Sequence, residues 1–385
     1  MKALPKVFLP KPQGASIAES RLIDANQNTL NDNFLRLITE LNGMETGGGV
    51  DPAVIAQLRS DITVLQGGVA TLQTDLAAAI AEHVNQNLLD NWYFLGSGSQ
   101  ATGKQFPINQ RGNTSYTGQK WTIDRWYASS TNSSVELTNG HLAIGASGGS
   151  IANNYGIAYQ SIESPARLAG KKVTLSVLTA SPAPSHPFSF TIHTIDSNNT
   201  GHWVGLDIND PQADTLYTKT VTVPDDVTWM DLHFYAGAEF ASGDKIHLAA
   251  VKMELGESST LATGTQVRGI PDFTDELLRC QRYQVAMNPW KVADRHIGWA
   301  IATGTTSAQA VITLPVVMRD RPTAVSPTTW RLRYPNTNYS VTAITCYNAG
   351  HTVHLSMTSS SLTQGRMYMV RNVSASDILL LDANL

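Results

Sequence analysis

Residues 134–144 read S-V-E-L-T-N-G-H-L-A-I. Val135 and Leu137 alternate with polar neighbours, Asn139-Gly140 follows, and Leu142 and Ile144 resume the alternation. A period of two marks a strand with one buried face, and Asn-Gly suits a two-residue type I′ turn because both central residues need positive φ. The stretch predicts a β-hairpin. The same texture runs on from Trp92, each apolar run ending in Gly, Asn, Pro or Ser. Strands are expected over 157–162, 172–179, 188–195, 203–208, 217–223, 229–235 and 245–255. With no helical pattern between them, they indicate an antiparallel sandwich or jelly roll.

Upstream the period changes. In residues 51–88 the apolar positions step by three and four: Ile55, Leu58, Ile62, Leu65, Val69, Leu72, Leu76. This is a heptad seam with Ile or Val at most a positions and Leu at d, a choice that by itself favours two parallel strands. Asp51 can cap the helix and Pro52 fits its first turn. After Leu76 the spacing turns to fours (Ile80, Val84, Leu88), a stutter that locally unwinds a supercoil. Gly67 and Gly68 sit mid-helix at about 1 kcal/mol each against Ala, so a lone helix would be marginal in water. An ordinary amphipathic helix packed on its own domain could use the same residues. Regularity over about three heptads favours the coiled coil.

Residues 1–14 form a proline-marked arm, and Ile23, Leu30, Phe34, Leu35 and Ile38 recur at helical spacing before the glycines at 47–49. Such an arm suits an attachment segment, and equally a frayed terminus. Downstream, 256–270 is polar, 273–283 carries a short helical pattern, and a second β region follows. Its strands are expected over 298–302, 308–314, 324–325, 330–334, 339–346, 353–357, 366–370 and 378–381. The expected architecture is mainly β: an N-terminal helical segment and parallel coiled coil, then two antiparallel β-sandwich, jelly-roll-like domains. Divisions fall at 1–50, 51–88, 89–256, 257–285 and 286–385.

The 385 residues carry a net charge of −4, and 15% of them are charged. That gives no strong pull toward nucleic acid or anionic lipid. Cys280 and Cys346 stand far apart, without metal spacing or a disulfide framework. The apolar run Val7 to Leu9 is too short for a secretory signal core, and no run is long enough to span a membrane. A soluble protein made in a cytoplasm is expected.

Several strings resemble those of bacteriophage tail-fibre and related receptor-binding, virion adhesion proteins. NLLDNWYF (87–94) resembles the opening of a carbohydrate-binding-module-like jelly roll after a coiled coil. INQRG (108–112), TIDRWY (122–127), VKMELG (251–256) and ELLRCQRYQ (276–284) resemble later parts of that domain and the helix leaving it. LPVVMRDRPT (314–323) resembles a strand and turn of the C-terminal sandwich in many phage tail proteins. The resemblance implies a homotrimeric, non-enzymatic structural fibre of the virion, assembled in the host cytoplasm. It would join other virion proteins through its N-terminal segment and take host cell-surface polysaccharide as its partner. Dimer and trimer both remain open from the seam alone.

Sugar rings need flat aromatic faces, and their hydroxyls need amide or carboxylate edges. Trp92, Trp121, Trp126, Tyr155, Tyr159, Trp203, Trp229 and Tyr235 supply the rings, most of them as core. Trp92, Trp126 and Trp229 lie in framework strings and read as packing. Trp121, Tyr155 and Trp203, beside polar or glycine-rich loops, are the candidate sugar platforms, although for each one taken singly a core role is the better reading. Asp124-Arg125 reads as a structural ion pair or backbone anchor. Asp196, Asn198, Thr200, Gly201 and Asp207 fit part of a calcium-loop pattern, but two carboxylates between strands read better as a hairpin connection. Gly145 to Gly149 matches G-x-S-x-G without the following helix a nucleophile elbow needs. No catalytic residue, metal site or cofactor is expected. The competing classes are a head or neck fibre with the same domains, and a glycan-cleaving tailspike-like enzyme using a pair such as Asp225 or Asp226 with Glu239.

Overall fold

In the computed structural model of the protein, the described residues are 51–84, 86–96, 106–138, 140–288, 292–325, 330–347, 350–375 and 377–384, with helical positions 32, 36, 39 and 43. The arm and first helix expected over 1–50 otherwise lie outside them, as does Asn139. Two compact units make up the chain: 1–86 with 254–260, and 87–253 with 261–385.

In the first unit, α1 spans Pro52–Val84, 33 residues. Asp51 caps it, its Oδ1 accepting the Ala53 N–H at 2.9 Å. Along the expected seam Ile55 is buried, Ile62 and Val69 are half-buried, and Leu58 and Leu65 are 41% and 62% exposed. The side chains of Leu72 and Leu76 lie outside the described ones. A single chain thus leaves part of the apolar stripe uncovered. Among the described residues no helix is long and apolar enough to cross a membrane.

The second unit opens with two six-stranded sheets. With strands numbered in chain order, one sheet runs β1 (Ser115–Thr117), β4 (Ser133–Thr138), β5 (His141–Ala146), β12 (Lys245–Leu255), β7 (Lys172–Thr179), β10 (Leu216–Thr222). The other runs β2 (Lys120–Trp121), β3 (Tyr127–Ala128), β6 (Gly156–Ser161), β11 (Val227–Ala236), β8 (Phe188–Asp196), β9 (Gly201–Ile208). The opening hairpin is β4–β5, closed by Thr138 opposite His141, with Gly140 at φ 96°. Alternation decides the faces. On β11, Met230, Leu232 and Phe234 are buried, as are Phe188, Phe190 and Ile192 on β8 and Val173, Leu175 and Val177 on β7. Phe190 and Phe234 meet at 4.6 Å between ring centroids, and Trp126 and Phe234 at 6.0 Å.

Asp124 and Arg125 are both buried, but they take different partners. Arg125 sits in left-handed backbone at φ 70°. Its Nε meets Asp90 Oδ2 at 3.1 Å, and its guanidinium lies 3.5 Å above the Tyr283 ring. Asp124 instead accepts the Gln110 N–H at 2.9 Å and the Gln110 side-chain amide at 2.6 Å. Burial pushes the Asp124 carboxyl above its usual range, against the pull of Arg111 and Gln110.

A small hairpin, β13 (Ala262–Thr263) with β14 (Gln266–Val267), lies in the stretch read as a polar linker. Helix α2 (Phe273–Gln281) follows, capped by Asp272 Oδ1, which accepts the Thr274 N–H at 2.7 Å. The C-terminal sandwich has a seven-stranded sheet, β20 (Thr337–Ser340), β19 (Arg331–Tyr334), β23 (Met367–Arg371), β16 (His296–Ala302), β17 (Ser307–Thr313), β22 (Thr352–Thr358), β21 (Ala343–Cys346). A three-stranded sheet completes it: β15 (Gln284–Met287), β24 (Leu379–Asp382), β18 (Thr323–Val325). Its first strand begins at Gln284, ahead of the expected division at 286, and the expected strand over 339–346 is two strands, β20 and β21. Trp330, Leu332, Leu355, Met357, Tyr368 and Val370 fill the core. On the opposite face Trp299, Ile301, Val311 and Met367 are exposed, between 49% and 58%.

The two sandwiches share polar bonds. The Gln110 Nε2 donates to the Gln284 carbonyl at 2.8 Å, and Arg111 Nη2 meets Asp382 Oδ2 at 3.2 Å.

Candidate functional site

The outer face of the second sheet carries rings. Its in-register row reads Trp121, Tyr127, Tyr159, His233, Thr191, Gly205, one residue from each strand in sheet order. Trp121 meets Tyr127 edge-on at 5.1 Å, Tyr127 meets Tyr159 at 5.1 Å, and Tyr159 stacks on His233 at 4.8 Å. The neighbouring row reads Ser161, Asp231, His193, Trp203. The Trp203 indole lies flat on the His193 ring at 4.6 Å and 18°. Tyr235 stacks on His233 at 5.1 Å and 19°, and the Trp203 Nε1–H donates to the Tyr235 hydroxyl at 3.1 Å.

Beyond Trp203 the face opens into a groove of about 490 Å³. Trp203 and Tyr235 supply its rings, and Asn154, Asp207 and Lys219 its polar edges. Its floor is small: Ser189, Thr191 and Gly205. Gly205 is required there, because a Cβ would sit 2.5 Å from the Thr191 Cα. Trp203 is 59% exposed, so most of the indole is free for a ligand. A flat apolar ring beside amide, carboxylate and ammonium groups is what a sugar ring and its hydroxyls require.

Electrostatically the face centres on Asp231. Burial alone would raise its carboxyl, but the His233 imidazole and hydrogen bonds from Ser161 Oγ (2.6 Å) and Trp229 Nε1 (2.8 Å) outweigh it and hold it below the usual range. Burial lowers His193, and its neighbour His233 pushes the same way. Burial raises the Tyr235 hydroxyl and pushes Tyr159 up to about 12, where the Asp231 charge and Tyr127 add to it.

The three sequence candidates separate. Trp203 lines the groove. Trp121 is half-buried at the far end of the ring row. Tyr155 is 64% exposed, but it is its neighbour Asn154 that lines the groove. Trp229, read as packing, is 39% exposed and holds Asp231. Trp229 falls on the outward face by the same alternation as Asp231, His233 and Tyr235, and the register shift just before it leaves Val227 buried on the other side. Asp207, Lys219 and Asn154 are not legible in sequence as groove walls, since they come from β9, from β10 of the other sheet and from the stretch before β6, and only the tertiary fold brings them together. The alternation on β11 was the available signal, for it sets Asp231, His233 and Tyr235 on one face.

Asp196 Oδ1 accepts the N–H groups of Asn198 and Thr200, both at 2.8 Å, and its Oδ2 meets His202 at 3.1 Å. That is a tight β8–β9 turn. Asp207 lies near the far end of β9, about 20 Å along the strand at its usual rise, so the calcium pattern is not assembled. Residues 145–149 leave β5 for an isolated bridge at Ile151, not for a helix.

No family model matches the chain, and no curated protein does. Among solved structures, the CBM22-1 xylan-binding domain from Paenibacillus barcinonensis is similar at 14% identity and a TM-score of 0.27, covering 38% of this chain and 94% of that one. A family 22 carbohydrate binding module of Clostridium thermocellum gives 11% identity and 0.26, over 43% of this chain and 94% of that one. The enzymatically active domain of tailspike protein 4 from bacteriophage CBA120 gives 13% identity and 0.26, over 45% of this chain and 22% of that one. Likenesses of this degree carry no argument about what the chain binds.

Proposed function

We propose that the chain is a structural virion protein of the phage tail-fibre kind, which trimerises through α1 and grips host-surface polysaccharide without cutting it. The observation that carries the binding reading is Trp203, 59% exposed over a groove edged by Asn154, Asp207 and Lys219. Single sugar contacts of this kind are weak, and several linked copies raise avidity without new contacts. The virion reading rests on the tail-fibre strings, from NLLDNWYF at 87 to LPVVMRDRPT at 314. For self-association, Leu58 and Leu65 leave an apolar stripe that bundling would bury. The exposed Trp299, Ile301, Val311 and Met367 offer a second apolar surface for the same purpose.

The carboxylates support binding without cleavage. Glycoside hydrolysis uses two, about 5 to 10 Å apart across the bond. Among the residues lining the groove Asp207 is the one carboxylate. Asp225 and Asp226 precede β11 and Glu239 follows it, so a strand of 10 residues separates them, about 30 Å at the usual rise.

The test presents full-length protein to immobilised polysaccharides from bacterial surfaces and measures retention and reducing-sugar release together. Retention that falls in Trp203→Ala, with no sugar released, supports the reading. Release of reducing ends overturns the non-cutting part, and retention by none of the surfaces, or retention unchanged in the variant, overturns the groove.

A further inference from the structure

We infer that His193, Asp231 and His233 form a site for one divalent transition-metal ion of the zinc class. This does not depend on what the groove binds. Asp231 lies opposite His193 across the β8–β11 pairing, and His233 is two residues on, with the same side outward. One ligand atom from each comes within 4.8 Å of the others. No other such trio of His, Cys, Asp and Glu is found among the described residues.

Three observations make this a built site. First, the spacing is wrong for hydrogen bonds and close to that of ligands around an ion. Asp231 Oδ2 is 3.7 Å from His193 Nδ1 and 3.7 Å from His233 Nε2. Two donors on a tetrahedral ion at zinc bond lengths stand about 3.4 Å apart. The two carboxylate–imidazole pairs therefore need shifts of only a few tenths of an ångström, while the two imidazoles, within 4.8 Å of each other, approach by up to about 1.4 Å.

Second, His233 is half-buried, but both of its ring nitrogens are shut off from solvent and neither is hydrogen-bonded in the protein. A neutral imidazole carries one donor and one acceptor, and a buried polar group with no partner is a costly arrangement. The ring cannot turn away to find water, because Tyr159 and Tyr235 stack on it at 4.8 and 5.1 Å. A metal ion at Nε2 supplies one of the two missing partners.

Third, the ligands are held by outer groups. Ser161 Oγ donates to Asp231 Oδ1 at 2.6 Å and Trp229 Nε1 to Oδ2 at 2.8 Å, which fixes the carboxylate plane. Trp203 lies on the His193 ring at 4.6 Å. Such supporting contacts are the usual companions of metal ligands. Two imidazoles with one carboxylate suit zinc, nickel, cobalt or copper better than calcium or magnesium, which prefer oxygen throughout. Three protein ligands leave a coordination position for water or for an oxygen of a bound molecule.

The competing place for such an ion is the pair His141 and His247, whose nitrogens lie 2.8 Å apart and already bond each other. The experiment separates the two. Full-length protein is stripped with a chelator, dialysed and titrated with zinc chloride by calorimetry. One ion per chain is expected, at least about tenfold weaker in His193→Gln and in His233→Gln and unchanged in His141→Gln. Trp229→Phe, which leaves all three ligands in place, should weaken zinc by about tenfold through the freed carboxylate. Absence of uptake by the stripped protein overturns the proposal. So does zinc binding that survives both triad variants or disappears in His141→Gln. Should the triad variants fail to fold, X-ray absorption of the zinc complexes of the natural chain and of His141→Gln decides. Two imidazoles in the shell of both support the site, and a shell without them, or one lost in His141→Gln, refutes it.

Discussion

The Gln110 side chain bonds to the Gln284 main chain 174 residues away, Nε2 to carbonyl oxygen at 2.8 Å, and its Oε1 accepts the Ala286 N–H at 3.1 Å. The same Nε2 reaches the buried Asp124 carboxylate. One amide thus hydrogen-bonds to both sandwiches at their seam.

Gln110→Ala should therefore cost about 2 kcal/mol or more, because it takes a side-chain partner from the buried Asp124 Oδ2, from the Gln284 carbonyl and from the Ala286 N–H together. The exposed Gln212 serves as the control, and its replacement by Ala should stay within about 0.5 kcal/mol. Urea denaturation of the two variants measures this. Equal midpoints would show that the seam contributes nothing.

Trp203→Ala should leave the melting temperature nearly unchanged and reduce polysaccharide retention about tenfold or more, since the ring is mostly exposed and several copies multiply each loss. Trp126→Ala should do the reverse. That indole is 2% exposed between Phe94 and Phe234, and its removal should cost about 3–5 kcal/mol. Thermal melts and retention on the same surfaces compare the two.

Gly205→Val should destabilise the first sandwich by about 1–3 kcal/mol and close the groove floor, because the new side chain meets the β8 backbone at Thr191. Retention and urea midpoint should fall together. A stable Gly205→Val variant that still binds would remove the groove from the argument.

Gly67→Ala in α1 has the opposite sign. Nothing lies within 4 Å of a Cβ there, so the helix should gain about 1 kcal/mol. Leu65→Asp places a charge on the expected seam and should convert the oligomer to monomer at micromolar concentration. Sedimentation of both variants is the measurement, and a natural chain that is already monomeric would end the coiled-coil reading.

Stability should fall on mild acidification through His141 and His247. Burial holds both imidazoles below the usual 6.5, and in His247 the neighbouring His141 and Lys245 push the same way. As pH falls the unfolded chain therefore takes up protons first. The stabilising contribution is full above about pH 6.5 and is lost as pH drops through 6.5 toward the folded-state values. His141→Gln should flatten that slope. Urea midpoints at pH 7.5, 6.5 and 5.5 decide it, and identical slopes would exclude the pair.

Much of this architecture could be read from local patterning. Alternation on β11 announces that Met230, Leu232 and Phe234 turn inward, and Asn-Gly announces a hairpin that Thr138 and His141 close. Register could not be read. Nothing in the linear order says that residue 193 faces residue 231, or that 203 faces 193, yet those pairings create the ring stack and the carboxylate between two imidazoles. Val227 shows the same limit on a smaller scale, since one extra residue at the bulge after it puts it on the opposite side from Trp229. Asp124 and Arg125 are adjacent in sequence, but the left-handed backbone at Arg125 sends the guanidinium to Asp90.

The stack of His193 on Trp203 has an optical consequence. An indole emits further to the blue when water leaves its surface, and more dimly when a protonated imidazole rests against it. Trp203 has both influences at hand, an open outer face and a histidine beneath. The molecule therefore carries its own lamp, and whatever settles on that ring changes the colour or brightness without any dye attached.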